Sequence, residues 1–347
     1  MRRPRTFLRV VVVTALGALA LVACGRTQAE VALPPCLDLD AIYALTGPEA
    51  IGEFSWAAAG GLADEVGSRF ADDFPDAPLT IYGPGEESGT FDSFNELAIV
   101  DIAESRGVAE DEALARPDYI ASANDNVIIE GVAGTPGSFG WIGHSYAASA
   151  EAAGEVRTFE VVGEGGGCVA PTDDAIADGT YPLSRDLYVY VNLESVDEDP
   201  AVAAFVDELI GDAGRQAVGD AGYVALTDDA WAETLDAWAA AGGRPGEAAE
   251  DVTGDVVVSG SSTVQPITSL VAEAFSGRNP RASVSIDGPG TGDGFQLFCD
   301  GETDLSDASR PIEAEEAAAC EAAGVEYVEL KIGIDGLSLV TRSDRDG

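Results

Sequence analysis

The chain has 347 residues, 62 of them acidic and 18 basic, for a formal net charge of −44. Such a balance repels nucleic acid and anionic lipid surfaces, which excludes both as binding partners of the folded part. With 46% apolar residues the chain is no disordered acidic tail, and its length suits two lobes with separate cores.

Arg2, Arg3, Arg5 and Arg9 precede an apolar run from Val10 to Val22. That is a secretory signal, too short and wrongly flanked for a stable membrane span. It ends in Leu21-Val22-Ala23-Cys24-Gly25, which resembles the bacterial lipobox, with Cys24 as the lipidated N-terminus of the mature chain. An ordinary signal peptide followed by a chance cysteine is the alternative. Two acyl chains on Cys24 would suffice for stable anchoring. Residues 1–23 are therefore read as a signal peptide and 24–35 as a lipid-anchored tether, giving an extracytoplasmic lipoprotein. No later segment is apolar for long enough to cross a bilayer.

Cys36 to Leu45 has apolar residues at helical spacing, and Thr46-Gly47-Pro48 stops it. Leu79 to Tyr82 reads as a strand running into the Gly-rich turn Gly83 to Thr90, with a helical pattern from Phe91 to Glu104. Val127 to Ile129 and Phe139 to Gly143 read as strands around a Gly-Pro turn. Arg157 to Val162 and Asp186 to Asn192 read as further strands, and Ala201 to Ile210 as an amphipathic helix. Residues 239–254, rich in Ala, Gly and acidic side chains, form the clearest interior linker. Strand Asp255 to Ser259 then enters Gly260 to Thr263 and a helix Val264 to Phe275. Strand Ala282 to Ile286 leads through Gly288 to Gly294 into a helix containing Phe295. This alternation predicts α/β architecture with mostly parallel sheets.

Four cysteines follow Cys24: Cys36, Cys168, Cys299 and Cys320. An even number in an exported chain reads as two disulfides. Three pairings are possible; closeness in sequence favours Cys299–Cys320, which leaves Cys36–Cys168. Zinc is a poor alternative, because there is no CxxC pair and His144 is the only histidine. No metal or cofactor is expected.

Three loops share one design, in which a strand ends, small and hydroxyl residues follow, and a helix begins. They are Ser88 to Thr90, Gly260 to Thr263 and Gly288 to Gly294. Free N–H groups and the positive dipole end at a helix start favour an anion, glycine permits close approach, and Ser or Thr adds donors. One such loop is weak evidence, since Ser and Thr are ordinary N-caps. Three together, without a Walker-type pattern, point to a small oxyanion. Since net charge opposes an anion here, local dipoles and hydrogen bonds must attract it.

Val256–Val264 (VVVSGSSTV), Asp287–Phe295 (DGPGTGDGF) and Asp304–Ile312 (DLSDASRPI) resemble the phosphate-binding protein of bacterial high-affinity phosphate ABC importers. Gly83–Phe91 (GPGEESGTF), Gly137–Tyr146 (GSFGWIGHSY) and Tyr181–Arg185 (YPLSR) do so too. The resemblance implies a two-lobed α/β fold of the periplasmic-binding-protein type II class, inorganic phosphate in the cleft, importer membrane subunits as partners, a monomer, and no catalytic residues. It implies that Ser262, Thr263 and the backbone of Val264 bind phosphate from one loop and Thr291 from the next. Asp307 would accept a hydrogen bond from the protonated oxyanion, and Ser88, Gly89 and Thr90 would close over it. Many relatives carry an arginine four residues before the serine of the SGT loop, where this chain has Pro84; nearby Arg310 is the expected replacement, ahead of Arg185.

The segment order also departs from the family, whose GSSTV half precedes its SGT half. Here the SGT half comes first, and the chain stops shortly after Thr341, where relatives would soon reach the CLDLDAIYAL segment. A circular permutant is the favoured reading, tolerated where old termini lie close together; a truncated tandem array or a misassembled gene are the alternatives. The lobes are set at 36–180, with the SGT loop, and at 181–245 plus 254–347, with the other two loops, joined by 246–253. Phosphate sensing or scavenging, or binding of another oxyanion, uses the same cleft. A secreted phosphatase is weaker, because no histidine stands in the loops, and a non-functional fragment is the last alternative. His144 is read as structural, and Trp56, Trp141, Trp231 and Trp238 as packing anchors.

Overall fold

The computed structural model describes residues 31–245 and 250–343. The signal segment, Cys24, most of the tether, and residues 246–249 of the linker lie outside them. Local caps decide where several helices begin. Asp38 accepts from the Ala41 N–H, so Cys36–Leu37 is a short strand and the helix runs Leu39–Thr46. The expected strand at Val127 to Ile129 is instead part of the helix Asp125–Gly134. Asn124 caps it through the Asn126 N–H, and Ile128, Ile129 and Val132 face inward at helical spacing. The β-branched run was the misleading signal, and the cap outweighs it.

The strands among the described residues are β1 (Cys36–Leu37), β2 (Thr80–Gly83), β3 (Ile120–Ala121), β4 (Ser138–Gly143), β5 (Val156–Thr158), β6 (Glu160–Val162), β7 (Cys168–Val169), β8 (Ser184–Asn192), β9 (Thr253–Gly260), β10 (Arg281–Asp287), β11 (Leu305–Ala308) and β12 (Tyr327–Arg342). The large sheet runs β10-β9-β11-β8-β12-β4-β2-β3, with β5 also on β12; β1, β6 and β7 form a small second sheet. Both flanks are parallel as expected: β9 pairs with β10 and β11, and β2 with β3 and β4. The centre is antiparallel, β12 lying against β8 and β4.

That centre joins the two halves. Tyr327 to Gly336 pairs with β8, whereas Leu337 to Val340 pairs with β4 and Val340 to Arg342 with β5. The last residues of β12 therefore pair with β4 and β5, strands from the half of the chain that carries the SGT loop. The expected strand Arg157 to Val162 is divided in the same region. At Phe159 it stops pairing with β12 and starts pairing with β1.

Core packing explains the tryptophans. Trp56, Trp141 and Trp238 are fully buried and Trp231 nearly so. Trp141 stacks on Phe94 at 4.3 Å, which fixes the helix Gly89–Ala98 against β4. His144 is buried, its Nδ1 3.1 Å from Ser338 Oγ and its Nε2 2.9 Å from Asp173 Oδ1. It ties a helix start to β12.

Both disulfides have the expected pairing. Cys36–Cys168 joins β1 to β7, and Cys299–Cys320 joins the helices Thr291–Cys299 and Ala314–Ala323. The group Cys36, Glu160 and Cys168 has metal-like spacing, but its two sulfurs are bonded to each other and offer no thiolates. No helix among the described residues is long and apolar enough to cross a membrane.

Candidate anion site at three helix starts

Each of the three anion-loop candidates does begin a helix: Gly89–Ala98 after β2, Gln265–Arg278 after β9, and Thr291–Cys299 after β10. Ser261, Ser262, Thr263, Gly290, Thr291 and Ser309 line one cavity of ≈ 280 Å³, together with Asp92 and Glu96 from the first helix. Gly89 closes the approach between loops. A Cβ placed there would stand 3.1 Å from Thr263 Cα, so the bare backbone is what lets the two loops meet.

The hydroxyls of this cavity are held by named partners. Ser262 Oγ donates to Asp92 Oδ2 at 2.8 Å, and Thr263 Oγ1 lies 3.5 Å from the Gly89 carbonyl oxygen. Thr291 Oγ1 is 3.0 Å from Ser309 Oγ and accepts from the Ser309 N–H. Ser88 caps its own helix, taking the Thr90 N–H at 3.2 Å, and the Val264 N–H donates to Ser261 O. Thus Ser262, Thr263, Thr291 and Gly89 are brought together, while Ser88, Thr90 and Val264 shape the loops that present them.

Asp307 is hydrogen-bonded to Ser261, which lines the cavity, but is not itself among the lining residues. It is 1% exposed on β11, and its carbonyl takes the Ser261 N–H at 2.8 Å. Gly260 makes that contact possible, because a Cβ at its φ of +144° would run into the Asp307 carbonyl. Thr268 Oγ1 donates to Oδ2 at 2.7 Å, while Oδ1 has no hydrogen-bond partner among the described residues. Burial pushes the Asp307 carboxyl up to about 8, partly offset by Thr268. A buried acid with one open oxygen lobe is suited to exchange a hydrogen bond with a ligand.

Arg310 meets a competing partner. Its guanidinium forks onto Glu316 with both contacts at 2.8 Å, lies 3.4 Å from Glu313, and covers the Phe295 ring. Glu316 also takes the Glu313 N–H in a capping box, so this carboxylate is fixed by the helix it starts. The cation expected at the anion is thereby committed to a carboxylate.

Arg185 is the functional candidate that sequence reasoning passed over. Its Nη2 donates to Thr263 Oγ1 at 3.0 Å and to Ser93 Oγ at 2.6 Å, while Nη1 pairs with Glu96. Asp335, on β12, accepts from Ser93 at 2.5 Å and lies 3.6 Å from Arg185 Nε. Burial raises the Asp335 carboxyl, and Arg185 and Ser93 oppose that rise. The signal was present, since Arg185 ends the Tyr181–Arg185 motif, but Asp335 sits in a Gly-Ile-Asp-Gly stretch that reads as a turn. A larger cavity of ≈ 740 Å³ lies outside the SGT loop. Glu49, Glu86, Glu87 and Glu112 line it, a poor surrounding for an anion.

A family model described as a PBP superfamily domain matches residues 51–213 and 245–347. Protein SphX of Synechococcus elongatus is 48% identical over 85 residues, covering 24% of this chain and 25% of its own length. Protein SphX of Synechocystis is 34% identical over 162 residues, with 46% and 44% covered. A phosphate-binding protein PstS of Staphylococcus epidermidis is 42% identical over 109 residues, with 31% and 34% covered. The chain thus spans less than half the length of each of these relatives. A solved structure described as the phosphate-binding protein of a Streptococcus pneumoniae phosphate ABC transporter aligns with a TM-score of 0.57 at 19% identity. That alignment covers 78% of this chain and 90% of the other, and at such identity it speaks to the fold alone.

Proposed function

We infer that this chain, which belongs to the PBP superfamily, binds inorganic phosphate outside the cytoplasm and hands it to the membrane subunits of an ABC importer. The observation that carries the reading is one cavity lined by two helix-starting loops, Ser261 to Thr263 and Pro289 to Thr291, and faced by Asp92 and Glu96 of the helix that the third loop begins, with the buried Asp307 hydrogen-bonded to Ser261. Helix starts supply N–H donors and positive dipole ends, and Ser262, Thr263 and Thr291 supply hydroxyls. The names of the relatives support phosphate over other oxyanions. Within this reading Ser262, Thr263, Val264, Thr291, Ser88, Gly89 and Thr90 form the cradle, Asp307 reads the ligand's proton, and Arg310 stands beside it. No catalytic step is proposed. Titrating phosphate into the soluble chain 25–347 by calorimetry should show one saturable site. Absence of binding would overturn the reading.

The reading includes a monomer, held to the membrane by a lipid on Cys24. Cys24→Ser should move the protein from the membrane fraction to the soluble fraction, and unchanged fractionation would count against lipidation. Two disulfides support an oxidising compartment.

We further propose that the two halves stand in permuted order on a type II binding-protein fold. Residues from both described ends lie along one segment. Glu160 N–H donates to Pro35 O, Phe159 N–H to Leu339 O, and Ser343 N–H approaches Glu155 O at 3.4 Å. Stretches so close in space can be joined in a relative without rearranging the fold.

A further inference from the structure

Resting on the phosphate reading above, we propose that Arg185 is the cation of the oxyanion site and that Glu96 is the carboxylate an incoming anion displaces. Two acidic side chains, Asp92 and Glu96, line the cavity, so an anion entering it needs a local positive charge. Arg185 is placed to supply that charge. It projects from β8, opposite Asp335 of β12 in the pairing register, where the two halves of the large sheet join. Its Nη2 hydrogen-bonds the Thr263 hydroxyl, one of the groups that line the cavity.

The partners of Arg185 divide into a fixed side and a loose side. Ser93 is buried and with Thr263 holds Nη2, while the buried Asp335 carboxylate faces Nε at 3.6 Å, too far for a hydrogen bond. Glu96 meets Nη1 with a side chain that is 52% exposed, whereas the Arg185 side chain is 8% exposed. The half-solvated Glu96 is rehydrated when it swings into water, and because Arg185 is buried its charge must be met at once by the arriving anion. A phosphate oxygen arriving at Nη1 restores a charge-assisted bond in the same geometry, because guanidinium accepts carboxylate and phosphate alike. Arg310 also has an exposed partner, Glu313 at 3.4 Å, but its two closer contacts go to a fixed one. That carboxylate, Glu316, is anchored in a capping box. The exchange therefore runs at Arg185.

The test is calorimetric titration of phosphate into the full chain and three variants. Arg185→Ala should weaken binding by about 100-fold, the loss of one hydrogen-bonded charge, and Arg185→Lys by about 10-fold, because the charge stays while the fork is lost. Glu96→Gln should tighten binding by about 5-fold, because the competing charge is gone. Arg215→Ala, which breaks an exposed pair with Asp228 and has the same net-charge change, controls for the long-range field. If Arg185→Ala fails to fold, Glu96→Gln and Arg185→Lys decide. Wild-type affinity in both Arg185→Lys and Glu96→Gln overturns the assignment while leaving phosphate binding intact. A wild-type chain that binds no phosphate overturns the functional reading, and the assignment falls with it.

Discussion

Asp307→Asn should collapse the preference for phosphate over sulfate, and in the wild type that preference should itself widen as pH rises. The sign follows from burial. The Asp307 carboxyl of the ligand-free protein is pushed up to about 8, so below that value it carries its proton and above it is a carboxylate. The protonated form can donate to any bare oxygen, sulfate included. The carboxylate can only accept, which phosphate satisfies with its remaining O–H and sulfate cannot. A site built to pair with a ligand hydroxyl rejects an analogue without it by up to ~10⁴-fold. Sulfate affinity should therefore fall through about pH 8 while phosphate affinity persists, and asparagine should abolish the step by offering a permanent donor. Both anions titrated into both proteins between about pH 6 and about pH 9 decide the matter. A ratio flat in pH, or one untouched by the substitution, removes Asp307 as the discriminator.

The same group has a consequence for stability. Its folded value lies above the ordinary carboxylate value of 3.8, so the folded chain binds a proton that the unfolded chain releases. The associated stability is complete below that ordinary value and is lost as pH rises through about 8. Melting of the ligand-free wild type should drop across this window by more than melting of Asp307→Asn. The difference between the two proteins isolates Asp307 from the repulsion of a chain at −44.

What the sequence made legible was punctuation. Gly and Ser clusters after β2, β9 and β10 marked the loops because glycine and N-cap chemistry is local, and hydroxyls at helix starts suggested an anion. The long β12 was harder to read. Gly333 and Gly336 lie inside it, and its partner changes along its length from β8 to β4 and β5, so no local period announces that Asp335 meets Arg185. The DLSDASRPI motif points to Arg310 rather than Arg185 as the cation. Glu316, six residues on, competes for it, because the helix start turns that carboxylate back onto the guanidinium. At Asp125–Gly134 three β-branched residues imitate a strand, and only the Asn124 cap ahead of them marks the helix.

Breaking Cys36–Cys168 should be the costliest single change to stability, and breaking Cys299–Cys320 the costlier for binding. The first bridge closes a sequence separation of 132 and the second one of 21. Chain-entropy reasoning gives about 5 kcal/mol for the longer loop and about 3 kcal/mol for the shorter. The longer bridge also fastens a sheet with little to hold it otherwise, because β1 and β7 have two residues each. The shorter bridge sits at the C-terminal end of the helix whose first residue is Thr291, and ties that helix to the one carrying Glu316. Loss of it loosens Thr291 and the carboxylate that holds Arg310. Paired serine variants, unfolded in urea and titrated with phosphate, should therefore show opposite rankings in the two measurements. If the Cys299–Cys320 variant is the less stable one, or binds phosphate as tightly as the Cys36–Cys168 variant, the bridges do not divide the work in this way.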